Sequence, residues 1–416
     1  MAKAQNLFET AKLELDSIAQ ILETCYFDKK KFHKAVNLLK KPQNQLNKKL
    51  ILKLANGKKA TFDSSRIQYN DANGPFMGGL RFSKNINVDQ IKSFALYESL
   101  KSSLANIPFG GSFGGINLDF QKISTKDIQR ITKIYSQFLT PHIGPWKDIL
   151  TTEKGTDEKN TCWMMEAYER KKRLHSPATF VSNRLGLDGA TIVLHEYIKS
   201  VNYSSVFRKI DVAIHGFGKR GYLFAKNLNI KSYRIVAISD SSGGIVNSSG
   251  FDVEEIKKLK DKFGSLKEVS VMQKIEFIAN VDLLKLPVDI LAISSAEQLV
   301  TKDIANNISA KIVLELVDFG VTKEAKETIN DNKIVLLPDL ILNSGFSVLH
   351  HFEWVQKMHG YRWSREEVLK KLHITMTKIF KEVKELSDEK KISYKEACLY
   401  LGVKRIIYSM IERGRV

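Results

Sequence analysis

An apolar run at Ile210 to Ile214 is followed at once by His215 and then Gly216-Phe217-Gly218-Lys219-Arg220-Gly221. A helical segment to about Leu228 comes next, then a second apolar run, Ile235-Val236-Ala237-Ile238-Ser239, ending at Asp240. A G-x-G-x-x-G run alone is weak evidence, but between a strand and a helix it specifies the first turn of a dinucleotide-binding βαβ unit. Gly216 serves the tight turn, Gly218 the close approach of a pyrophosphate, and Gly221 the packing of helix on strand. The helix start offers free N–H groups and positive partial charge to the phosphates. Asp240 is placed to accept from the adenosine ribose hydroxyls, with Ser241 beside it, which favours NAD. Lys219 and Arg220 leave NADP open.

Further apolar runs at Ile290 to Ile293, Ile312 to Leu316 and Ile334 to Leu337 alternate with helical segments, as a doubly wound sheet requires. A length of 416 residues with 43% hydrophobic content supports two cored domains. The predicted fold class is α/β, with an N-terminal α/β substrate domain and a Rossmann-type doubly wound dinucleotide-binding domain. The boundaries fall at 1–185 for the substrate and oligomerisation domain, 186–345 for the Rossmann domain, and 346–416 for C-terminal helices returning to the first domain.

In the first half, Leu7, Ala11, Leu15, Ile18 and Leu22 recur at helical spacing. Leu50 to Leu54 and Ala60 to Tyr69 read as strands around Asn56-Gly57, a strong hairpin signal. Between Gly74 and Gly115 lie three glycine pairs, Gly78-Gly79, Gly110-Gly111 and Gly114-Gly115, around a helical segment that carries Lys101. Glycine clusters let a backbone approach a ligand closely. A further helix is expected from about Lys126 to Phe138.

Composition narrows the function classes. Cys25, Cys162 and Cys398 are far apart and lack metal-ligand spacing, so no zinc site or disulfide framework is expected, and three reduced thiols packed as small hydrophobes are. No apolar run has the length of a membrane span and the start lacks a secretory signal, which reads as a soluble cytoplasmic protein. The formal charge of +19 raises a nucleic-acid-binding scaffold as one reading. Its lysines occur in small groups with acidic neighbours and without a nucleic-acid motif, which favours a solvated surface.

The motifs together resemble the glutamate dehydrogenase family, which deaminates glutamate, leucine, phenylalanine and valine. Gly74-Pro75-Phe76-Met77-Gly78-Gly79-Leu80-Arg81-Phe82 is similar to its GP-x-K-GG-[IL]-R-[FY], and Pro108 to Gly115 to its P-[YM]-GG-[AG]-K-GG. Ile143-Gly144-Pro145 with Asp148-Ile149 follows its IGP-x-x-D-I, and Ser239 to Asp252 its SDS-x-GG segment. Pro338 to Gly345 and Phe352 to Trp363 complete the resemblance, which covers roughly residues 45 to 370.

Residue by residue, the resemblance implies a damaged reaction site. The catalytic lysine is replaced by Phe113 and the side-chain-binding lysine by Met77, whereas Lys101 is kept as the α-carboxylate ligand. The proton-handling aspartate becomes Glu153, without its flanking prolines. His350 stands where glutamate enzymes carry a serine, and when protonated would take an anion. Gly78 and Gly79 complete the substrate-binding set. Ala190 and Thr191 are what survives of the family's E-A-T, which implies a nicotinamide contact from Thr191, while Glu315 to Asp318 and Ile293 to Leu299 depart from the family's nicotinamide-binding pattern.

Oxidative deamination requires a held carboxylate, a deprotonated amine, a hydride acceptor and an activated water. Removing one general acid or base typically slows such a reaction by about 10²- to 10⁴-fold. The expectation is therefore a catalytically impaired homologue that binds NAD or NADP, needs no metal, and acts as a regulatory or structural subunit. An active oxidative deaminase of an apolar amino acid or glutamate with a rearranged site is the alternative. By resemblance, the chain forms a hexamer with itself or with an active paralogue.

Overall fold

The structure, a computed structural model, describes residues 6–175, 177–181, 187–203, 209–228 and 232–416. The chain forms two compact units. The first contains 1–185, 346–372 and 398–416, and the second 186–345 and 373–397. The C-terminal helices are thus divided: Tyr394–Glu412 lies largely in the first unit, while most of Arg365–Lys390 belongs to the second. The expected boundary at 185/186 lies outside the described residues.

The first unit is built on a six-stranded sheet. Its strands are β1 (Asn44–Lys53), β2 (Lys59–Asn70), β3 (Phe76–Ser83), β4 (Gly111–Asn117), β5 (Asp148–Thr152) and β6 (Phe180–Val181), in the order β1-β2-β4-β3-β5-β6. The Asn56-Gly57 turn closes β1 on β2 in antiparallel register, with Lys53 opposite Lys59. The helix Leu7–Leu22 starts at Asn6, whose side chain accepts from Phe8 and Glu9 N–H, and buries all five residues of its predicted stripe. One face of the sheet packs Leu50, Leu80, Phe82, Ile116 and Leu150 against Ile131, Tyr135 and Leu139 of the helix Thr125–Leu139.

The glycine pairs correct the sequence reading. Most of these glycines lie within β3 and β4, where crowding by the protein itself already explains them. A Cβ on Gly78 would lie 1.6 Å from the Ser112 carbonyl oxygen, and one on Gly111 2.1 Å from the Ser99 nitrogen in the helix Val88–Leu104.

The second unit carries a seven-stranded sheet of β7 (Ile210–His215), β8 (Tyr233–Asp240), β9 (Gly243–Val246), β10 (Glu276–Ile278), β11 (Ile290–Ile293), β12 (Ile312–Glu315) and β13 (Val335–Leu337). The order is β10-β9-β8-β7-β11-β12-β13, and β8, β7, β11, β12 and β13 run parallel. Chain order reverses at β7, so the turn after it opens at a topological switch point, where doubly wound sheets bind ligands. Among the described residues, no helix is long and apolar enough to cross a membrane. The packed-thiol expectation holds for Cys398 alone; Cys25 and Cys162 are exposed.

Candidate active site

In the first unit the site begins with a buried frame that the sequence reading did not single out. Arg66 on β2 is fully buried and donates from Nε and Nη2 to Asp148 on β5, at 3.0 and 2.6 Å. Its Nη1 reaches the carbonyls of Gly78 and Gly79, and its Nη2 also reaches Ser112 Oγ. Asp148 further accepts from Ser112 Oγ and Gln68 Nε2. Burial works against the guanidinium charge, but Asp148 outweighs it and holds the Arg66 pKa above its ordinary value. The frame fixes the floor formed by Gly78 and Gly79.

Phe113 and Glu153 meet across that floor. A Cβ on Gly79 would lie 2.9 Å from the Phe113 ring and 3.1 Å from Glu153 Cβ. Phe113 is 2% exposed, and its ring centroid is 4.9 Å from that of Phe94. The Arg81 guanidinium lies over both rings, 4.2 Å from the Phe94 centroid and 5.8 Å from that of Phe113. Arg81 also grips Glu153 with two bonds, Nε to Oε2 at 2.7 Å and Nη2 to Oε1 at 3.2 Å. Arg81 thus supplies the restraint that the missing prolines do not. A carboxylate with both oxygens engaged by one guanidinium is poorly placed to carry protons.

Met77 is buried on β3 and presents no charge. Lys101 is buried near the end of the helix Val88–Leu104 and donates to Glu98 Oε1 at 2.6 Å. His350 is buried too, and its Nε2 has no hydrogen-bond partner. Burial, with the charge of Lys101 adding to it, pushes the His350 pKa down to about 3. Both effects disfavour the protonated ring on which the anion-binding expectation for His350 rests. Gly78, Gly79, Phe113 and Glu153 form one cluster, and Lys101, Glu98 and His350 a second, joined where Glu98 Cγ comes within 3.2 Å of a Cβ position on Gly78.

In the second unit, Gly216 has φ +105°, and a Cβ there would meet Ser295 at 2.7 Å. Gly221 is required because a Cβ would lie 2.1 Å from the Gly216 oxygen. Around Gly218 there is open space: beyond its two chain neighbours, nothing comes within 4 Å of a Cβ position. It precedes the helix Lys219–Asn227, whose start has no side-chain cap. Buried Ser239 Oγ and Ser294 Oγ, at the ends of β8 and β11, have no partner, nor has Asn280 Oδ1. An open phosphate cradle and orphaned polar atoms at the strand ends fit a dinucleotide, which when bound would supply a hydride donor or acceptor.

Other predicted contacts are less free. Asp240 accepts from Ser242 N and Oγ on Oδ1, and from Leu266 N and Lys260 Nζ on Oδ2. Four donors saturate a carboxylate, so ribose hydroxyls bind only by displacing one of them. Burial would raise the Asp240 pKa, but Ser242 and Lys260 together with the backbone donors hold it below its ordinary value. Lys260 also donates to the Phe217 carbonyl. Arg220 is turned to the Leu316 carbonyl, while Lys219 and Ser241 are exposed. The Thr191 hydroxyl donates to Leu187 O within its helix. Asn343 donates to Asp318 at 2.7 Å and leaves its own Oδ1 buried and unpartnered, a polar group that the sequence reading passed over. Among the described residues, no group of three or more His, Cys, Asp or Glu is placed to hold a metal.

Both halves have counterparts in known proteins. Residues 42–170 match the Glu/Leu/Phe/Val dehydrogenase dimerisation domain, and residues 186–414 match Glutamate/Leucine/Phenylalanine/Valine dehydrogenase. The chain is 30% identical over 390 residues to the catabolic NAD-specific glutamate dehydrogenase of Bacillus subtilis, covering 91% of each protein. It is 31% identical over 389 residues to the NAD-specific glutamate dehydrogenase of Staphylococcus aureus, covering 91% of this chain and 92% of the relative. Its fold is similar to that of the hetero-hexameric glutamate dehydrogenase from Thermus thermophilus in the leucine-bound form. That match has a TM-score of 0.90 at 23% identity and covers 100% of this chain and 98% of the other.

Proposed function

Because the chain belongs to the Glu/Leu/Phe/Val dehydrogenase family, we propose that it is a dinucleotide-binding member with impaired chemistry, acting as a regulatory or structural subunit. The observation that carries this reading is Phe113, packed under Arg81 at the position where the resemblance puts the catalytic lysine. Phenylalanine neither takes a proton from water nor stabilises a developing charge, and Glu153 is engaged by the same Arg81. The partner is a second copy or an active paralogue; the Thermus neighbour comes from a hetero-hexameric assembly. NAD is the cofactor this reading favours, in line with the names of the bacterial relatives.

The second reading, an active amino-acid dehydrogenase, is favoured by those relatives' names alone. Nicotinamide absorbance decides between the two. Concentrated protein is assayed in both directions with glutamate, leucine, valine and phenylalanine, and with their keto acids plus ammonium. The proposal predicts no turnover together with measurable NADH binding by fluorescence. Turnover that disappears in Lys101→Ala would overturn it.

A further inference from the structure

Lys101 already holds a carboxylate, and it comes from its own helix. Glu98 precedes it by three residues, a spacing that puts both side chains on one helix face. The Nζ to Oε1 distance is 2.6 Å, and the side chains are 5% and 15% exposed. Glu98 is not turned to solvent: its Cγ lies against Gly78, on the glycine floor, and its charge is felt by buried Arg66. His350, buried and bare at Nε2, faces the same lysine charge.

We propose that Glu98 is a resident occupant of the carboxylate subsite, standing where the carboxylate of a free amino or keto acid would pair with Lys101. A ligand carboxylate entering here meets a lysine whose charge is neutralised and a like charge in place, and such juxtapositions discriminate strongly. Glu98 is thus the residue that determines which ligands the first unit rejects. This rests on the reading of the pocket as an altered amino-acid site, but it is a separate lesion from Phe113 and has a separate readout.

The test is calorimetric titration of the full chain with L-glutamate, 2-oxoglutarate, L-leucine and 4-methyl-2-oxopentanoate. Wild type, Glu98→Ala, Glu98→Gln and Glu98→Ala with Lys101→Met are compared. Glu98→Gln keeps a hydrogen-bond acceptor for Lys101 and serves if the alanine variant does not fold. The expected result is a gain on the order of tenfold or more in affinity for at least one carboxylate ligand on neutralising Glu98, abolished by Lys101→Met. Equal affinity in wild type and variants, no binding by either neutralised variant, or a gain that survives Lys101→Met overturns the proposal. Turnover is followed in parallel. An active wild type whose KM falls about tenfold in Glu98→Gln would leave Glu98 as proposed while removing the impaired-subunit reading. An inactive wild type with unresponsive variants would remove Glu98 alone.

Discussion

Phe113→Lys puts a lysine back where the resemblance places the catalytic one, and the surroundings of the ring set what that substitution does. Two losses are separable. The first is the ring's packing, buried at 2% exposure and 4.9 Å from Phe94; an aromatic pair of this kind contributes about 0.5–1.5 kcal/mol beyond area burial. The second is charge. The Arg81 guanidinium lies 5.8 Å from the ring centroid, and two unit charges at that separation repel by about 3 kcal/mol at an effective dielectric near 20. Glu153, bound to Arg81, offsets part of this. The net expectation is a loss of roughly 2–5 kcal/mol, or a fall of about 4–20 °C in the unfolding midpoint for a unit of this size. Thermal unfolding of wild type, Phe113→Lys and the uncharged control Phe113→Leu measures it, with Phe113→Leu falling between the other two. Nicotinamide absorbance on the same samples is expected to stay flat, because Glu153 remains held. A Phe113→Lys protein within about 0.5 kcal/mol of wild type would refute the packing and charge argument, and turnover in that single variant would refute the commitment of Glu153 to Arg81.

Three other outcomes follow from the geometry. Asp148→Ala strands the buried Arg66 charge and should destabilise the first unit by about 3–5 kcal/mol in urea unfolding, whereas Arg66→Met with Asp148→Leu should lose much less. Gly218→Ala points into space empty of protein atoms, so it should leave stability nearly unchanged while weakening NADH binding in a fluorescence titration; Gly216→Ala should fail at the level of folding. Glu315 is raised to about 7 by burial and by Asp339 beside it. Its folded pKa exceeds the ordinary 4.5, so its stabilisation is full below that value and is lost as pH rises through about 7. Urea midpoints at pH 5 and pH 8 should therefore differ less in Glu315→Gln than in wild type.

The dinucleotide half was legible because its demands are local. A strand, a glycine turn and a helix start lie within a dozen residues, and the turn closes on itself where Gly221 meets Gly216, although Gly216 also answers to the distant Ser295. The glycine pairs of the first half signalled close approach correctly, but what approaches is the chain itself: backbone at Gly78, Gly110 and Gly111, and side chains at Gly79, Gly114 and Gly115. Arg66 escaped notice because its partner Asp148 is 82 residues away, and nothing in an alternating strand marks one arginine as buried. Lys260 and Asp240, on different elements, were hidden in the same way. Glu98 was within reach of sequence reasoning: a glutamate three residues before a singled-out lysine on a helix is a pair by spacing alone. What spacing does not supply is the burial that makes this pair an obstacle rather than a surface ornament.

The hub at Arg66 has a consequence for how such a protein changes over generations. The groups that hold Gly78 and Gly79 in place, Arg66, Asp148, Ser112 and Gln68, are distinct from Met77, Phe113 and Glu153, where the resemblance locates the altered chemistry. Scaffold and reactivity therefore answer to different residues. A lineage can exchange members of the second set while the buried frame stays intact, each change answering only for its own local packing, as at Phe113, and the shape persists as raw material for another use.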